Sequence, residues 1–248
     1  MSNNDFSAAL EEIASRYHLS PPGDIRIENL LQKYELSWIL SVIAPGSATL
    51  ELGWGDGLIG SGLAKLGNLT VLEGAHSLVQ KARKDLPQSE KVSIVHTLFE
   101  DFEAENQFDA VVASHVLEHV TDPKLLLQKI SSWLKDDGRL IVIVPNKESI
   151  HRRLARDIGL ISSLEELGER DHMVGHLRVY SRSELNYSLA DCGFKVEATR
   201  GFFLKPLPNS MMLNWPSNLI EALNAASDSL EPELCSTLGL VASKEKAQ

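Results

Sequence analysis

Apolar positions change their period several times along the chain, and those changes mark its elements. Short runs at 48–52, 69–72, 92–95, 108–113 and 139–144 are apolar nearly throughout, as in Ala110-Val111-Val112-Ala113 and Leu140-Ile141-Val142-Ile143-Val144. Continuous runs of that length predict strands buried on both faces, as in a parallel sheet held between two helical layers. Amphipathic stretches separate them at 58–66, 76–84 and 123–134. The last has Asp122 placed as an N-cap and Pro123 at the first helical position, where a missing N–H is no loss. Asp136-Asp137-Gly138 reads as a turn before the fifth strand. Strand and helix therefore alternate from 48 to 144, which predicts an α/β fold.

Two segments break this rhythm. Residues 1–45 read as helical, with Ile27, Leu30, Leu31, Tyr34 and Trp38 recurring at helical spacing, and form an N-terminal cap on a core at 46–146. Residues 147–193 are polar and helical, with Gly159, Gly168 and Gly175 as breaks, and are expected to fold as a lid over the strand edge. A strand-like stretch at 194–203, a Pro/Asn-rich loop at 206–216, a helix at 218–230 and an apolar run at 235–242 complete the sheet. With no repeat and no linker, the whole chain, 1–248, reads as a single domain.

Composition narrows the functional classes. The 24 basic and 34 acidic residues give a net charge of −10, which argues against a nucleic-acid backbone as partner, since that grip needs clustered Lys and Arg. Short basic runs (His151-Arg152-Arg153 with Arg156; Lys81, Arg83, Lys84) read as solvated helix faces. Cys192 and Cys235 make neither a disulfide framework nor a cysteine zinc site. Met1-Ser2-Asn3-Asn4-Asp5 has no secretory character, and no apolar run reaches the ~20 residues of a membrane span. A cytoplasmic protein without membrane partners is expected.

The chemistry concentrates after the first strand. In Glu51-Leu52-Gly53-Trp54-Gly55-Asp56-Gly57 a buried strand runs into three glycines and then opens a helix. Such a turn lets backbone approach a ligand and offers free N–H groups at the helix start. Gly55, Gly57 and Gly60 also fit the dinucleotide pattern, which alone is weak. Glu73, followed by Gly74 at the end of the second strand, stands about 20 positions on, where a carboxylate can accept both ribose hydroxyls of an adenosine ligand. By itself it does not distinguish a nicotinamide cofactor from S-adenosylmethionine.

The ordered series does. Glu51-x-Gly53-x-Gly55-x-Gly57, Glu73, Phe99-Glu100-Asp101-Phe102, the stretch from Phe108-Asp109 through Ser114-His115 and Glu118-His119 to Asp122-Pro123, and Leu134 through Gly138 to Pro145-Asn146 resembles class I S-adenosylmethionine-dependent methyltransferases. The likeness is to the small-molecule, methyltransferase type 11-like branch. It covers about residues 48–146 and continues more loosely through Gly175-His176 and Arg178 to Tyr180 and Cys192-Gly193-Phe194. The resemblance implies a Rossmann-like fold, a seven-stranded, mainly parallel sheet with an antiparallel last strand and helices on both faces. It implies S-adenosyl-L-methionine as cofactor, its methionine part against Glu51, Gly53 and Gly55 with Asp56 and Gly57 completing the loop. Glu73 and Gly74 would hold the ribose, and Phe99, Glu100 and Asp101 would border the adenine. Ser114 and His115 would line the space between cofactor and acceptor. Leu98 stands where many relatives carry an acidic residue, and Trp54 where they carry a small one.

His115-Val116-Leu117-Glu118-His119 also fits the H-x-x-E-H metalloprotease pattern, but that chemistry needs both histidines on one helix. Here His115 follows a strand and the next helix starts only at Pro123, so no metal is expected and His119 reads as support for the turn. His115 and His176 are the candidate base or orienting groups for methyl transfer, since a neutral imidazole can take a hydroxyl proton near pH 7. His172, Arg178 and Tyr180 are the candidate acceptor contacts. The expected partner is a small polar metabolite, O-methylated in preference to N-methylated. A nicotinamide-dependent oxidoreductase and a non-catalytic S-adenosylmethionine-binding protein are the alternatives. The acceptor's identity and the oligomeric state stay open.

Overall fold

The computed structural model describes residues 3–16 and 22–245. Of the stretches read as a helical cap and as an unremarkable N-terminus, residues 1–2 and 17–21 lie outside the described residues. The cap is two helices, α1 (Asn3–Arg16) and α2 (Pro22–Val42). Then come β1 (Ala48–Leu52), α3 (Leu58–Leu63), β2 (Asn68–Glu73), α4 (His76–Asp85), β3 (Val92–His96), β4 (Phe108–Ser114), α5 (Pro123–Trp133) and β5 (Leu134–Pro145). Beyond the core lie α6 (Ile150–Asp157), α7 (Glu169–Val174), α8 (Arg182–Asp191), β6 (Phe194–Phe202), α9 (Asn209–Met212), α10 (Ser217–Ala226) and β7 (Thr237–Lys244).

The seven strands form one sheet in the order β3-β2-β1-β4-β5-β7-β6. β1 pairs in parallel with β2 and β4, β2 with β3, and β4 with β5. β7 runs antiparallel between β5 and β6. The order reverses at β1, so the crevice beyond the carboxyl ends of β1 and β4 is the switch point where open α/β sheets bind ligands.

Burial on both faces follows from the alternation of side chains along each strand. Val111, Ala113, Leu140, Val142 and Val144 pack with α5 (Leu126, Leu127, Ile130, Trp133) and α8 (Leu185, Leu189). The intervening Ala110, Val112, Ile141 and Ile143 pack on the other face with Trp38 and Ile39 of α2, with Ile43 just after it, with α3 and with α4. Asp122 caps α5 by accepting from the Leu125 N–H at 3.0 Å. Asp136-Asp137-Gly138 is no turn between elements. It bulges within the twelve-residue β5, whose pairing with β4 slips between Phe108 and Ala110. The segment read as one lid divides in two: α8 buries Leu185 and Leu189 in the body of the domain, and only the chain up to Tyr180 lies near the strand edge. Cys192 and Cys235 are both free thiols.

Candidate active site

The first half of the site is made by backbone. Leaving β1, the chain passes through Gly53, Gly55 and Gly57 with φ of 77°, 54° and 90°, a left-handed region that L side chains rarely adopt. A Cβ at Gly53 or Gly55 would meet nothing within 4 Å, so the space above both is open to a ligand. Under the loop the reverse holds. The buried Trp54 indole fills the hollow so closely that a Cβ at Gly57 or Gly60 would fall 2.4 Å from its ring. That is what Trp54 touches, and its indole N–H has no partner among the described residues. Asp56 is exposed and shapes the turn, its Oδ1 accepting from the Leu58 N–H at 3.0 Å while its carbonyl accepts from Lys81 Nζ.

Two buried carboxylates brace this loop. Glu73, at the end of β2, accepts from the Trp54 N–H at 2.8 Å through Oε2 and from the Ala75 N–H at 2.7 Å through Oε1. Burial raises its pKa despite those bonds, and each oxygen keeps a further lone pair for a ligand hydroxyl. Glu51, on β1, is buried with Oε2 unpartnered. Burial, and then the neighbouring charges of Asp56 and Glu73, push its carboxyl well above the ordinary range, against a smaller opposing effect of the Gly60 backbone. The open glycine cradle fits the amino-acid end of S-adenosylmethionine, while the orphaned Glu51 Oε2 lies beneath the loop, 2.4 Å from where a Cβ on Gly60 would fall. α1 roofs the neighbouring corner: a Cβ on Gly74 would meet Leu10 at 2.7 Å, and Glu11 accepts from the Ser77 N–H. Phe99, Glu100 and Asp101 form one 3-10 turn just past β3, with both acids exposed.

The second half is made by side chains. Ser114 ends β4 half-buried, and His115 follows in a left-handed conformation, φ 55°, rare for a residue with a side chain. Its Nδ1 lies 3.2 Å from Glu118 Oε1, and its Nε2 lies 3.3 Å from both oxygens of Glu35. Both carboxylates are fully buried. Burial alone would lower the imidazole's pKa, but Glu35 and Glu118 outweigh it and raise the pKa well above 6.5, so both ring nitrogens carry protons. Burial works against Glu118's charge, yet its bond and attraction to His115 hold its pKa below the ordinary value. His115 is thus an imidazolium locked between two carboxylates, which leaves it the orienting role and not that of a free base. Glu35 is the residue that sequence reasoning missed. Its signal was a lone carboxylate in the apolar stripe of α2, between Leu31 and Trp38.

The segment after α7 is sewn to the loop at 117–121. Arg178 donates to the carbonyls of Leu117, Val120 and Thr121, and the Tyr180 hydroxyl donates to Leu117 O at 3.1 Å. Burial raises the Tyr180 pKa to about 12. Both polar groups are engaged within the protein, which replaces the expected acceptor-binding role of Arg178 and Tyr180 with a tethering one. His172 is exposed on α7. His176 faces inward, its Nδ1 2.9 Å from Asp171 Oδ1. His119 Nδ1 lies 3.2 Å from the Gly175 carbonyl, and burial above all lowers its pKa, leaving it neutral at pH 7. The structure therefore groups His115, His119 and His176 around Glu118, with His172 apart.

A mainly parallel sheet of this strand order, with β7 antiparallel, opening from its first strand into a glycine cradle braced by carboxylates, defines a class I methyltransferase architecture. The chain belongs to the methyltransferase domain family, whose pattern matches residues 28–199. Ubiquinone biosynthesis O-methyltransferase of Xanthomonas campestris pv. campestris (strain B100) is 34% identical over 122 residues, 47% of this chain and 51% of that protein. The match thus spans about half the length of that relative. Its counterpart from Xanthomonas axonopodis pv. citri (strain 306) is 29% identical over 190 residues, 74% of this chain and 78% of that protein. Among solved structures, magnesium protoporphyrin IX methyltransferase from Synechocystis PCC 6803 with bound SAH has a TM-score of 0.64 at 15% identity, covering 98% of this chain and all of that one, a likeness of fold. Family membership favours S-adenosylmethionine over a nicotinamide as the cofactor. No helix among the described residues is long and apolar enough to cross a membrane.

Proposed function

We propose that this protein is an S-adenosylmethionine-dependent methyltransferase that methylates a hydroxyl group of a small polar metabolite. The observation that carries the cofactor is the open cradle over Gly53 and Gly55, with the buried carboxylate of Glu73 bracing the loop through the Trp54 N–H. S-adenosylmethionine, when bound, supplies a methyl group on a cationic sulfur. Gly53 and Gly55 would admit its amino-acid end, Glu51 would hold the ammonium, and Glu73 the ribose hydroxyls. Asp56 and Gly57 shape that loop, while Gly74, Phe99, Glu100 and Asp101 border the adenosine end.

Ser114 and His115 lie at the carboxyl end of β4, beside the switch point. His115 acts as a positioning residue that fixes Glu35 and Glu118. His176 stays half-buried at the same centre, and His172 stands exposed on α7, apart from it. The relatives named as O-methyltransferases support a hydroxyl acceptor over an amine.

Two measurements test this reading. Calorimetry with S-adenosylhomocysteine should show one site, weakened by about 1–3 kcal/mol in Glu73→Gln, which keeps the carboxylate's shape but removes its charge and turns an NH2 toward one of the two backbone N–H donors. A screen with methyl-labelled cofactor over a metabolite extract should place the label on a small hydroxylated compound. Label recovered in RNA or protein would overturn the acceptor class, and tight binding of NAD with none of S-adenosylhomocysteine would overturn the cofactor.

A further inference from the structure

Glu118 remains incompletely satisfied. Its Oε1 meets His115, while Oε2 is fully buried and has no hydrogen-bond partner. A desolvated carboxylate oxygen without a donor is costly, and such a group calls for a missing positive partner. One ligand atom each from Glu118, His119 and His176 lie within 4.8 Å of one another.

The two histidines are prepared in the manner of metal ligands. His119 Nδ1 is turned to the Gly175 carbonyl and His176 Nδ1 to the Asp171 carboxylate, contacts that hold those protons and leave each Nε2 as a lone-pair donor. A backbone carbonyl or carboxylate behind each ring is the usual outer support of a ligating imidazole. The rings stand edge to face with centroids 4.8 Å apart. His176 keeps 13% of its side chain exposed, which gives an ion a way in.

We propose that Glu118, His119 and His176 form a binding site for one divalent first-row metal ion, zinc by preference, which latches the segment after α7 onto the loop after β4. Two imidazoles and one carboxylate suit zinc, which leaves a fourth position for water. Bonds of ~2.0–2.2 Å in a tetrahedral shell set ligand atoms about 3.3–3.6 Å apart, so closing on the ion takes side-chain adjustment on the order of 1 Å. This reverses the expectation of no metal, and for a reason the sequence pattern hid. His115, the first histidine of the H-x-x-E-H pattern, has both nitrogens engaged by Glu35 and Glu118. His176 supplies the second imidazole from across the chain. The same two segments are already joined by Leu177 N–H to Glu118 O at 2.8 Å and by Arg178 to three carbonyls. The ion would complete that seam. The inference does not depend on the acceptor or on methyl transfer.

The test uses the full chain, stripped with a chelator and dialysed. Added Zn²⁺ should remain at one equivalent per chain after gel filtration and raise the melting temperature by several degrees. Co²⁺ should give the visible ligand-field bands of a four- or five-coordinate nitrogen and oxygen site. His176→Ala and His119→Gln should weaken Zn²⁺ binding at least 100-fold, while His172→Ala, an exposed histidine on the same segment, should leave it unchanged. Where a variant fails to fold, the Co²⁺ spectrum of the unmutated chain decides. A featureless Co²⁺ titration, less than stoichiometric Zn²⁺, or equal affinity in a folded His176→Ala protein would overturn the site.

Discussion

The loop after β1 and the loop after β4 leave the same edge of the sheet, two strands that are direct neighbours, yet they are fixed by opposite means. The first is shaped by missing side chains. Gly53, Gly55 and Gly57 take up left-handed backbone, and one large ring, Trp54, fills the hollow below them. The second is shaped by side chains reaching across the chain: Glu35 from α2, His176, Arg178 and Tyr180 from the segment after α7. A glycine loop is a local solution and tolerates little change at its own positions. A tethered loop is a distributed solution, and each tether can be cut singly. The two halves should therefore respond differently to mutation, the first by losing shape and ligand together, the second by losing stability in separate steps.

The sharpest break is Gly57→Ala. The methyl group would sit 2.4 Å from the Trp54 ring at a φ of 90°, so overpacking and backbone strain add. We expect a loss of about 3 kcal/mol in stability and no measurable S-adenosylhomocysteine binding, read by denaturant melts and calorimetry. Normal affinity in this variant would show that the cradle is more plastic than its glycines imply.

Cutting the other loop should separate the two readouts. Arg178→Ala leaves the carbonyls of Leu117, Val120 and Thr121 without their charged donor. The expected cost is about 2–3 kcal/mol of stability with cofactor affinity within twofold of normal. An equal loss in both would mean that the two loops form one cooperative unit.

The same contrast explains what could be read in advance. Strands with continuous apolar runs and the Asp122-Pro123 helix start are local signals, and they placed the parallel strands and α5 correctly. Where the reading strayed, long-range contacts decided. Asp136-Asp137-Gly138 has turn chemistry, but pairing with β4 absorbs it as a bulge. The polar stretch after Asn146 looked uniform, yet the buried Leu185 and Leu189 commit α8 to the core. Nothing near Arg178 in the chain shows that its guanidinium meets carbonyls at 117–121. Glu35 was visible as a carboxylate on an apolar stripe, but its partner, His115, lies on a different element.

Glu51 allows stability and function to be set against each other within the cradle. Burial raises its pKa above the model-peptide value of 4.5, so the folded state binds a proton more tightly than the unfolded state. Its contribution is therefore favourable below that unfolded pKa and is lost as pH rises through the folded value. Glu51→Gln removes the charge that must be buried. We expect the variant to be more stable than the parent by about 1–2 kcal/mol at pH 8, with the gap closing toward pH 4. Cofactor affinity should move the other way, falling because the ammonium loses its carboxylate. A variant less stable than the parent at pH 8 would mean that Glu51 has a cationic partner in the ligand-free protein.

The smallest expected effect is the cleanest probe of the tethered loop. Tyr180→Phe removes one hydroxyl, the donor to Leu117 O, and leaves the ring in its buried place. A single neutral hydrogen bond contributes about 1 kcal/mol, which for a domain of this size lowers the melting temperature by roughly 2–4 °C. Because burial holds the phenol's pKa at about 12, it stays protonated through neutral pH and the difference should be flat between pH 6 and 9. S-adenosylhomocysteine affinity should not change. If the affinity fell tenfold while stability fell by only that 1 kcal/mol, the segment after α7 would be reporting its position to the glycine cradle, and the division between the two loops would fail at this residue.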